Sequence, residues 1–354
     1  MYFRGKLTVD PHQLTKIQVI KPEGSFRQLF YQLTGGGVGD KKEVETFKAV
    51  SLIQQLYSTF STLGVDNIIR LNHNDLEIYY DDTGQKEDFK LAIDKYSIEI
   101  DESMSTFFNT LWMVLEYEDQ QFKYLIEVSV NRSHLVNEYP IEIIVSGLLK
   151  GFDERDYKTQ EELKQKMSQV FQSQHDYDQF INTNKEFFES FLSSIAFELR
   201  KHMRIDDIKM ISKTRMVIQR EVQKVPEKSG KPVYGGVPYG YFGFGDLLLF
   251  SFLWSNMCFD HHIHVSNTEL IGETGNVFGD IGETGIDAVE GSVFDSSTDI
   301  ETIGDTTELS LNEDLVDTQD ISGGEGMMDT VADTDSGGFF DSLFDGFDFD
   351  GFDI

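Results

Sequence analysis

The densest group of possible metal ligands in the sequence lies between Cys258 and His264. One thiol, one carboxylate and three imidazoles fall within this stretch, and Zn²⁺ prefers thiolate and imidazole ligands. Structural zinc sites usually take a second ligand pair from a separate segment, but Cys258 is the only cysteine in the chain. We therefore expect no resident cofactor. The alternative is a weak surface site for Zn²⁺ or another transition metal at Cys258, His261, His262 and His264.

A glycine-rich segment, Thr34 to Lys42, lies directly before a predicted helix. Free backbone amides in such a position can bind a phosphate group. A P-loop requires Gly-Lys followed by Ser or Thr, whereas here Gly39 is followed by Asp40, whose carboxylate would repel phosphate. A mobile loop is therefore the favoured interpretation, and the alternative is a phosphate site at the glycines of this segment, which are Gly35, Gly36, Gly37 and Gly39.

The sequence ends in an alternation of aromatic and acidic residues between Phe339 and Ile354. Acidic residues keep aromatic anchors in solution until a partner binds them, although the phenylalanines of a solvated tail could also collapse on each other. We predict a docking peptide for another protein whose groove has an apolar floor and a rim of Lys or Arg. The proposed contact residues are Phe339, Phe340, Phe344, Phe347, Phe349, Phe352 and Ile354, with Asp345, Asp348 and Asp350.

Charge divides the chain into two unlike regions. Residues 1–231 carry a net charge of −6, whereas residues 232–354 carry −26 and contain no Lys or Arg. Phosphate contacts depend on Lys and Arg, so a chain with a net charge of −32 is not expected to bind nucleic acid directly. In composition alone, the terminus resembles the acidic tails of single-stranded DNA-binding proteins, and residues 1–231 contain nothing that extends the resemblance to function.

Apolar periodicity predicts an α+β fold for residues 1–231. The alternating runs Leu111 to Tyr117 and Phe122 to Val130 are typical of an antiparallel hairpin within a meandering antiparallel sheet. Steps of three and four residues predict a helix near residues 41–63, ended by Gly64, and an αα-hairpin near residues 159–203. This region could be one domain, or a sheet-rich part (1–150) and a helical part (151–231).

The second helix of the αα-hairpin carries a broad apolar stripe that includes Phe187, Phe188, Phe191 and Leu192. Such a stripe could form a groove for a cofactor or a partner. Apolar residues at this spacing usually pack in a core, however. We therefore assign the whole stripe to the core.

Residues 232–264 form a neck that is rich in glycine and aromatic residues and contains an apolar run, residues 247–259. This run is shorter than the roughly 20 residues that a bilayer-spanning helix needs. It could pack on the preceding domain, contact another protein or lie in a membrane interface; packing is favoured, and the absence of flanking Lys or Arg makes the membrane the least favoured. Residues 265–354 are expected to be a disordered acidic tail, because high charge with few apolar residues does not offset the entropy of ordering.

These features predict a non-enzymatic interaction or adaptor protein of the cytosol. One cysteine cannot form an intrachain disulfide, and the charged N-terminal residues lack the apolar run of a signal peptide. No segment matches a catalytic motif. The alternatives are an enzyme whose active-site residues meet only in the folded α+β domain, and a peripheral membrane protein that uses residues 247–259.

Overall fold

The computed structural model describes two compact units. The first unit comprises Met1–Phe3, Leu148–Glu186 and Lys213–Ser336, and the second comprises Arg4–Gly147, Phe187–Ser212 and Gly337–Ile354. Within these ranges, the described residues are 1–9, 41–74, 76–99, 110–131, 141–152, 160–203, 208–218, 233–234, 237–238, 244–272, 277–290, 292–294 and 309–310.

In the part of the second unit that the structure describes, six consecutive strands form the sheet. They are β1 (Tyr2–Val9), β2 (Asn67–His73), β3 (Leu76–Tyr80), β4 (Thr110–Glu118), β5 (Phe122–Asn131) and β6 (Ile141–Leu149), in the sheet order β1-β6-β5-β4-β2-β3. The first residues of β1 and the last of β6 belong to the first unit. The pairs β2–β3, β2–β4 and β4–β5 are antiparallel. The second unit also contains helices α1 (Lys41–Thr62) and α2 (Phe89–Glu99). The predicted α+β class with a mostly antiparallel sheet is confirmed.

The predicted hairpin is formed by β4 and β5, with Tyr117 opposite Tyr124. Its turn is held by Asp119, whose carboxylate accepts hydrogen bonds from the backbone amides of Gln121 and Phe122, each at 2.7 Å. The other oxygen of the same carboxylate accepts a hydrogen bond from the Tyr124 hydroxyl at 2.9 Å. The turn and the first cross-strand pair are therefore fixed by one side chain.

Helix α1 ends as the glycine signal predicts. Gly64 adopts a left-handed φ of 77°, and its amide donates to the Ser61 carbonyl. The amide of Val65 donates to the Phe60 carbonyl at 3.0 Å, which completes the double hydrogen bond of a Schellman motif. The predicted end near residue 63 is confirmed.

Helix α2 is an element that the periodicity analysis does not predict. Its buried residues Phe89, Ala92, Ile93 and Tyr96 follow helical spacing, but the helix has only 11 residues. The preceding Asp88 accepts hydrogen bonds from the Ile68 amide at 2.8 Å and the Tyr79 hydroxyl at 2.6 Å, in strands β2 and β3. The carboxylate thus ties α2 to the sheet.

In the core of the second unit, His73 on β2 is hydrogen-bonded to Tyr96 on α2. The distance between His73 Nδ1 and the Tyr96 hydroxyl is 2.7 Å, and both side chains are buried. Burial lowers the pKa of His73 from 6.5 to about 4, because an imidazolium loses its hydration there. The native state therefore holds this histidine neutral.

Three α-helices lie wholly or partly among the described residues of the first unit. The predicted αα-hairpin is present as α3 (Gln160–Ser168) and α4 (Gln174–Met203), and the second half of α4 belongs to the second unit. Helix α5 (Phe244–Asp260) contains the apolar run 247–259. Trp254 of α5 is fully buried against Phe171, Phe180 and Phe152, with ring centroids 4.8, 5.7 and 6.2 Å away. Among the three interpretations of this run, packing inside the fold is the one that the described side chains show.

The tail boundary predicted at residue 265 is wrong, because strands continue beyond it. β10 (His264–Val265) lies at the predicted boundary, and β11 (Thr268–Ile271), β12 (Val277–Ile281) and β13 (Ile286–Asp287) follow it. β11 runs parallel to β7 (Ile208–Val217) and antiparallel to β12, which also pairs with β14 (Leu309–Ser310). The short β8 (Val233–Tyr234) and β9 (Val237–Pro238) pair with each other within the predicted neck.

Basic residues of β7 explain why this acidic segment folds. Arg215 lies opposite Glu269 across the β7–β11 ladder, and its Nε atom is 2.5 Å from the carboxylate. Glu269 lies opposite Asp280 across the β11–β12 ladder, a placement in which like charges repel. Lys213 forms ion pairs with both acids. The negative charge of residues 265–294 is therefore partly neutralised by Lys213 and Arg215, which precede their acidic partners by more than 50 positions in the sequence.

We predict that Arg215→Gln lowers the free energy of unfolding by about 2–3 kcal/mol, since it leaves Glu269 largely buried without its guanidinium partner. Denaturant titration measures this loss. The control is Lys6→Gln, which removes an ion pair with Glu142 that is more open to solvent, and should cost about 0–1 kcal/mol. Equal losses of unfolding free energy in the two variants would contradict the conclusion that the ion pairs of β7 stabilise its packing with β11 and β12.

A second prediction concerns acid stability. Because the folded pKa of His73 lies below its ordinary value, its contribution is complete above pH 6.5 and is lost as the pH falls towards about 4. The difference corresponds to about 3 kcal/mol. His73→Asn should therefore flatten the pH dependence of the unfolding free energy across this window, as measured by denaturant titration at several pH values. Identical slopes in wild type and His73→Asn would refute the assignment.

Candidate docking surface

The second half of α4 buries one face and exposes the other. Its buried residues Phe188, Leu192, Ile195 and Leu199 follow steps of three and four residues. The ring of Phe188 lies 6.0 Å from that of Phe122, and Phe191 lies 4.2 Å from Tyr124, so this face packs on aromatic residues of β5. The opposite face of α4 is left as a solvent-facing stripe.

Two phenylalanines occupy that solvent-facing stripe. Phe187 is 49% exposed and Phe197 is 62% exposed. The assignment of Phe187 to the core is therefore wrong, because Phe188 is the residue that points inward. Adjacent positions on a helix differ by about 100°, and here Phe188 faces the sheet whereas Phe187 is turned towards solvent. Phe197 also lies off the three- and four-residue spacing of the buried positions. This offset is the sequence signal that could have predicted its exposure.

The start of β7 lies along the same stripe. The Ser193 hydroxyl is 4.0 Å from Met210 Sδ, and the Ser212 hydroxyl donates a hydrogen bond to Glu189. Phe197 follows Ser193 by one helical turn, so Phe197 and Met210 flank the same serine. Met210 is 41% exposed, which makes the patch apolar across two elements.

Basic residues lie at one end of the patch. Arg200, Lys201 and His202 form the last turn of α4, where cations are favoured by the helix dipole. A hydrogen bond from Lys201 at 2.9 Å lowers the pKa of Glu198 and keeps it ionised. Arg200 and Lys201 are both exposed. We call Phe187, Phe197 and Met210, together with Arg200 and Lys201, the α4 surface.

The structure does not bring the predicted metal ligands together. Cys258 is fully buried, and burial raises the pKa of its thiol to about 12. His262 adopts a left-handed φ of 52° at the end of α5, and this turn directs the chain away from the helix. His261, His262 and His264 are exposed, and His264 contacts Asp287 instead. Nowhere in the described ranges do three or more His, Cys, Asp or Glu side chains form a group that could hold a metal ion.

Two further predicted sites fall on other parts of the chain. The proposed phosphate-binding glycines at residues 35–39 and the acidic aromatic terminus at residues 339–354 both lie outside the described residues. Their roles stay predictions from sequence.

Comparisons with protein-family models, with curated proteins and with solved structures found no match to this chain. Function is therefore inferred from the chemistry of the residues. In the part of the chain that the structure describes, no helix combines the length and apolar character needed to cross a bilayer.

We predict that Cys258 does not react with a soluble thiol reagent in the native protein, because it is buried and its raised pKa leaves almost no thiolate near pH 8. Labelling by 5,5′-dithiobis-(2-nitrobenzoate) is unambiguous in a chain with one cysteine. Reaction should become fast only after denaturation. Rapid stoichiometric labelling of the native protein would contradict the position of Cys258 inside the first unit.

Proposed function

We propose that this protein is a non-enzymatic interaction or adaptor protein whose acidic aromatic terminus docks on an apolar groove with a basic rim. The observation that carries the proposal is the sequence of residues 339–354, in which phenylalanines alternate with aspartates and no cation is present. Phenylalanine burial would supply most of the binding energy, and the aspartates would increase the rate of association by electrostatic attraction.

The ion pairs of β7 support the proposal by showing that some acidic residues already have a cation within the fold. Glu269 and Asp280 have Lys213 and Arg215 as partners within their own unit. Residues 295–354 carry acidic side chains and no Lys or Arg of their own. A segment with negative charge alone is suited to a cationic partner surface.

The α4 surface has the chemistry that such a peptide requires. Phe187, Phe197 and Met210 offer apolar area, and Arg200 offers positive charge at one end, beside Lys201, which is paired with Glu198. A second copy of this chain is therefore the partner that we propose. Binding of one copy's terminus to the α4 surface of the next is a head-to-tail contact, which can continue into longer assemblies.

We place this interaction in the cytosol. A single, buried cysteine is compatible with a reducing compartment and contributes no disulfide.

The decisive test is a titration of a labelled peptide of residues 337–354 into the full-length chain. The receptor should carry Phe347→Ala, Phe349→Ala and Phe352→Ala, so that its own terminus does not compete. We expect saturable binding by fluorescence anisotropy. The peptide with the same three substitutions has unchanged charge and should lose several kcal/mol of binding free energy, or about 1–3 kcal/mol for each ring.

Receptor variants locate the site. Phe197→Ser should weaken peptide binding by about tenfold or more, and Arg200→Gln should mainly reduce its salt dependence. The matched control is Leu91→Ser on α2, which removes a 52% exposed apolar side chain elsewhere in the second unit. If the phenylalanine-free peptide binds as tightly as the parent across the salt range, the docking function is wrong. If only Phe197→Ser has no effect, the partner is a different protein.

A further inference from the structure

A pocket of about 500 Å³ lies in the first unit, where the start of α4 faces β7, β10 and β11. Small-molecule sites commonly have volumes of about 300–1,000 Å³. The pocket is lined by Met1, Gln174, Tyr177, Asp178, Ile181, Asn182, Thr214, His264, Ser266, Thr268 and Glu283. Hydroxyl, amide and carboxylate groups therefore outnumber apolar side chains in its wall.

One side of the pocket is held by Gln174, the first residue of α4. Its Oε1 atom accepts a hydrogen bond from the His264 amide at 2.8 Å, and its Nε2 atom donates to the His264 carbonyl at 2.9 Å. The same Nε2 atom donates to Asp178 Oδ1 at 2.8 Å. Gln174 thus connects α4 to β10 and orients the carboxylate of Asp178.

A pair of buried threonines lies on the side formed by β7 and β11. Thr214 is opposite Thr268 in the parallel ladder, and their hydroxyl oxygens are 2.7 Å apart. Thr214 also donates to the Asn267 carbonyl at 2.9 Å. These side chains have fixed positions, and a hydroxyl oxygen retains capacity to accept a further hydrogen bond from a ligand.

The imidazole of His264 is fixed in the pocket wall. Its Nδ1 atom is 2.7 Å from Asp287 Oδ1, and its Nε2 atom is 3.1 Å from the Thr284 carbonyl oxygen. Gly285 has a φ of 68°, and a Cβ atom there would lie only 2.3 Å from Nε2. Because Asp287 lies beside the ring, a positive charge on His264 would be neutralised locally rather than offered to a ligand.

Charge selects the class of ligand. Asp178 on α4 and Glu283 in the turn after β12 are both exposed, and none of the described residues that line the pocket is a Lys or Arg. An anion at the start of α4 is also disfavoured, because Ser173 and Asp176 hydrogen-bond to each other and the Ser173 hydroxyl accepts from the Asp176 amide. The wall therefore favours a cation.

We propose that this pocket binds a small hydroxylated ammonium compound. Its ammonium group lies between Asp178 and Glu283, and its hydroxyls contact Ser266, Thr268 and Asn182. Charge-assisted hydrogen bonds inside a concave site are stronger than those in open water. This proposal is independent of the docking function, since neither residues 339–354 nor the α4 surface takes part.

Glucosamine is the probe, with glucose and glucuronate as comparators that present a similar ring without charge or with negative charge. The readout is the methyl signal of Ile181 in the full-length protein, labelled with carbon-13 at isoleucine and assigned with Ile181→Val. We expect a saturable shift with glucosamine, with a dissociation constant on the order of 1 mM. Neither comparator should produce a saturable shift over the same concentrations.

Two variants test the charge contacts. Asp178→Asn keeps an oxygen that can accept from Gln174, and Glu283→Gln changes an exposed side chain, so both should fold. Each should weaken glucosamine binding by about tenfold. The control Glu290→Gln removes an exposed acid outside the pocket lining and should leave binding unchanged. Binding of glucuronate or glucose as tight as that of glucosamine, unchanged affinity in the Asp178→Asn/Glu283→Gln double variant, or an unshifted Ile181 signal would overturn the proposal.

Discussion

The ion pairs between β7 and the strands that follow α5 are the interaction on which the first unit depends. Glu269 and Asp280 lie opposite each other, and without Lys213 their repulsion would oppose pairing of β11 with β12. Arg215 adds a contact to Glu269 across the parallel ladder. The register that makes these pairs also places Thr268 opposite Thr214, and so the same ladder forms one wall of the polar pocket.

Aromatic packing adds buried apolar area, which the ion pairs do not provide. Trp254 of α5 contacts Phe171 and Phe180 of the αα-hairpin region, and Phe152 after β6. Buried aromatic side chains contribute large apolar areas and favourable ring geometry. A run of residues too short to cross a bilayer thereby becomes an internal helix. Because α5 leads into β10 through His262, its packing also determines where His264 meets the pocket.

Local patterns predicted the elements that local interactions stabilise. The β4–β5 hairpin follows from alternation and from the turn at Asp119, and the end of α1 follows from Gly64. Patterns failed where the stabilising partner is distant. The acidic stretch after residue 264 has the composition of a disordered tail, and its cations lie on a strand that ends at Val217. Likewise, closeness in sequence suggested one site for Cys258 and His264, whereas the end of α5 separates a buried thiol from an exposed imidazole.

The α4 surface shows why helical periodicity alone does not distinguish core residues from exposed ones. Phe187 and Phe188 are equally apolar, but only Phe188 faces the aromatic residues of β5. Contact of the Phe187 and Phe197 rings with water has an unfavourable hydration free energy, which a serine or lysine at these positions would avoid. That cost is offset if the exposed rings bind something. The terminus of the same chain carries aromatic rings among aspartates, and the proposed binding of a second copy would cover the exposed rings of α4 with them.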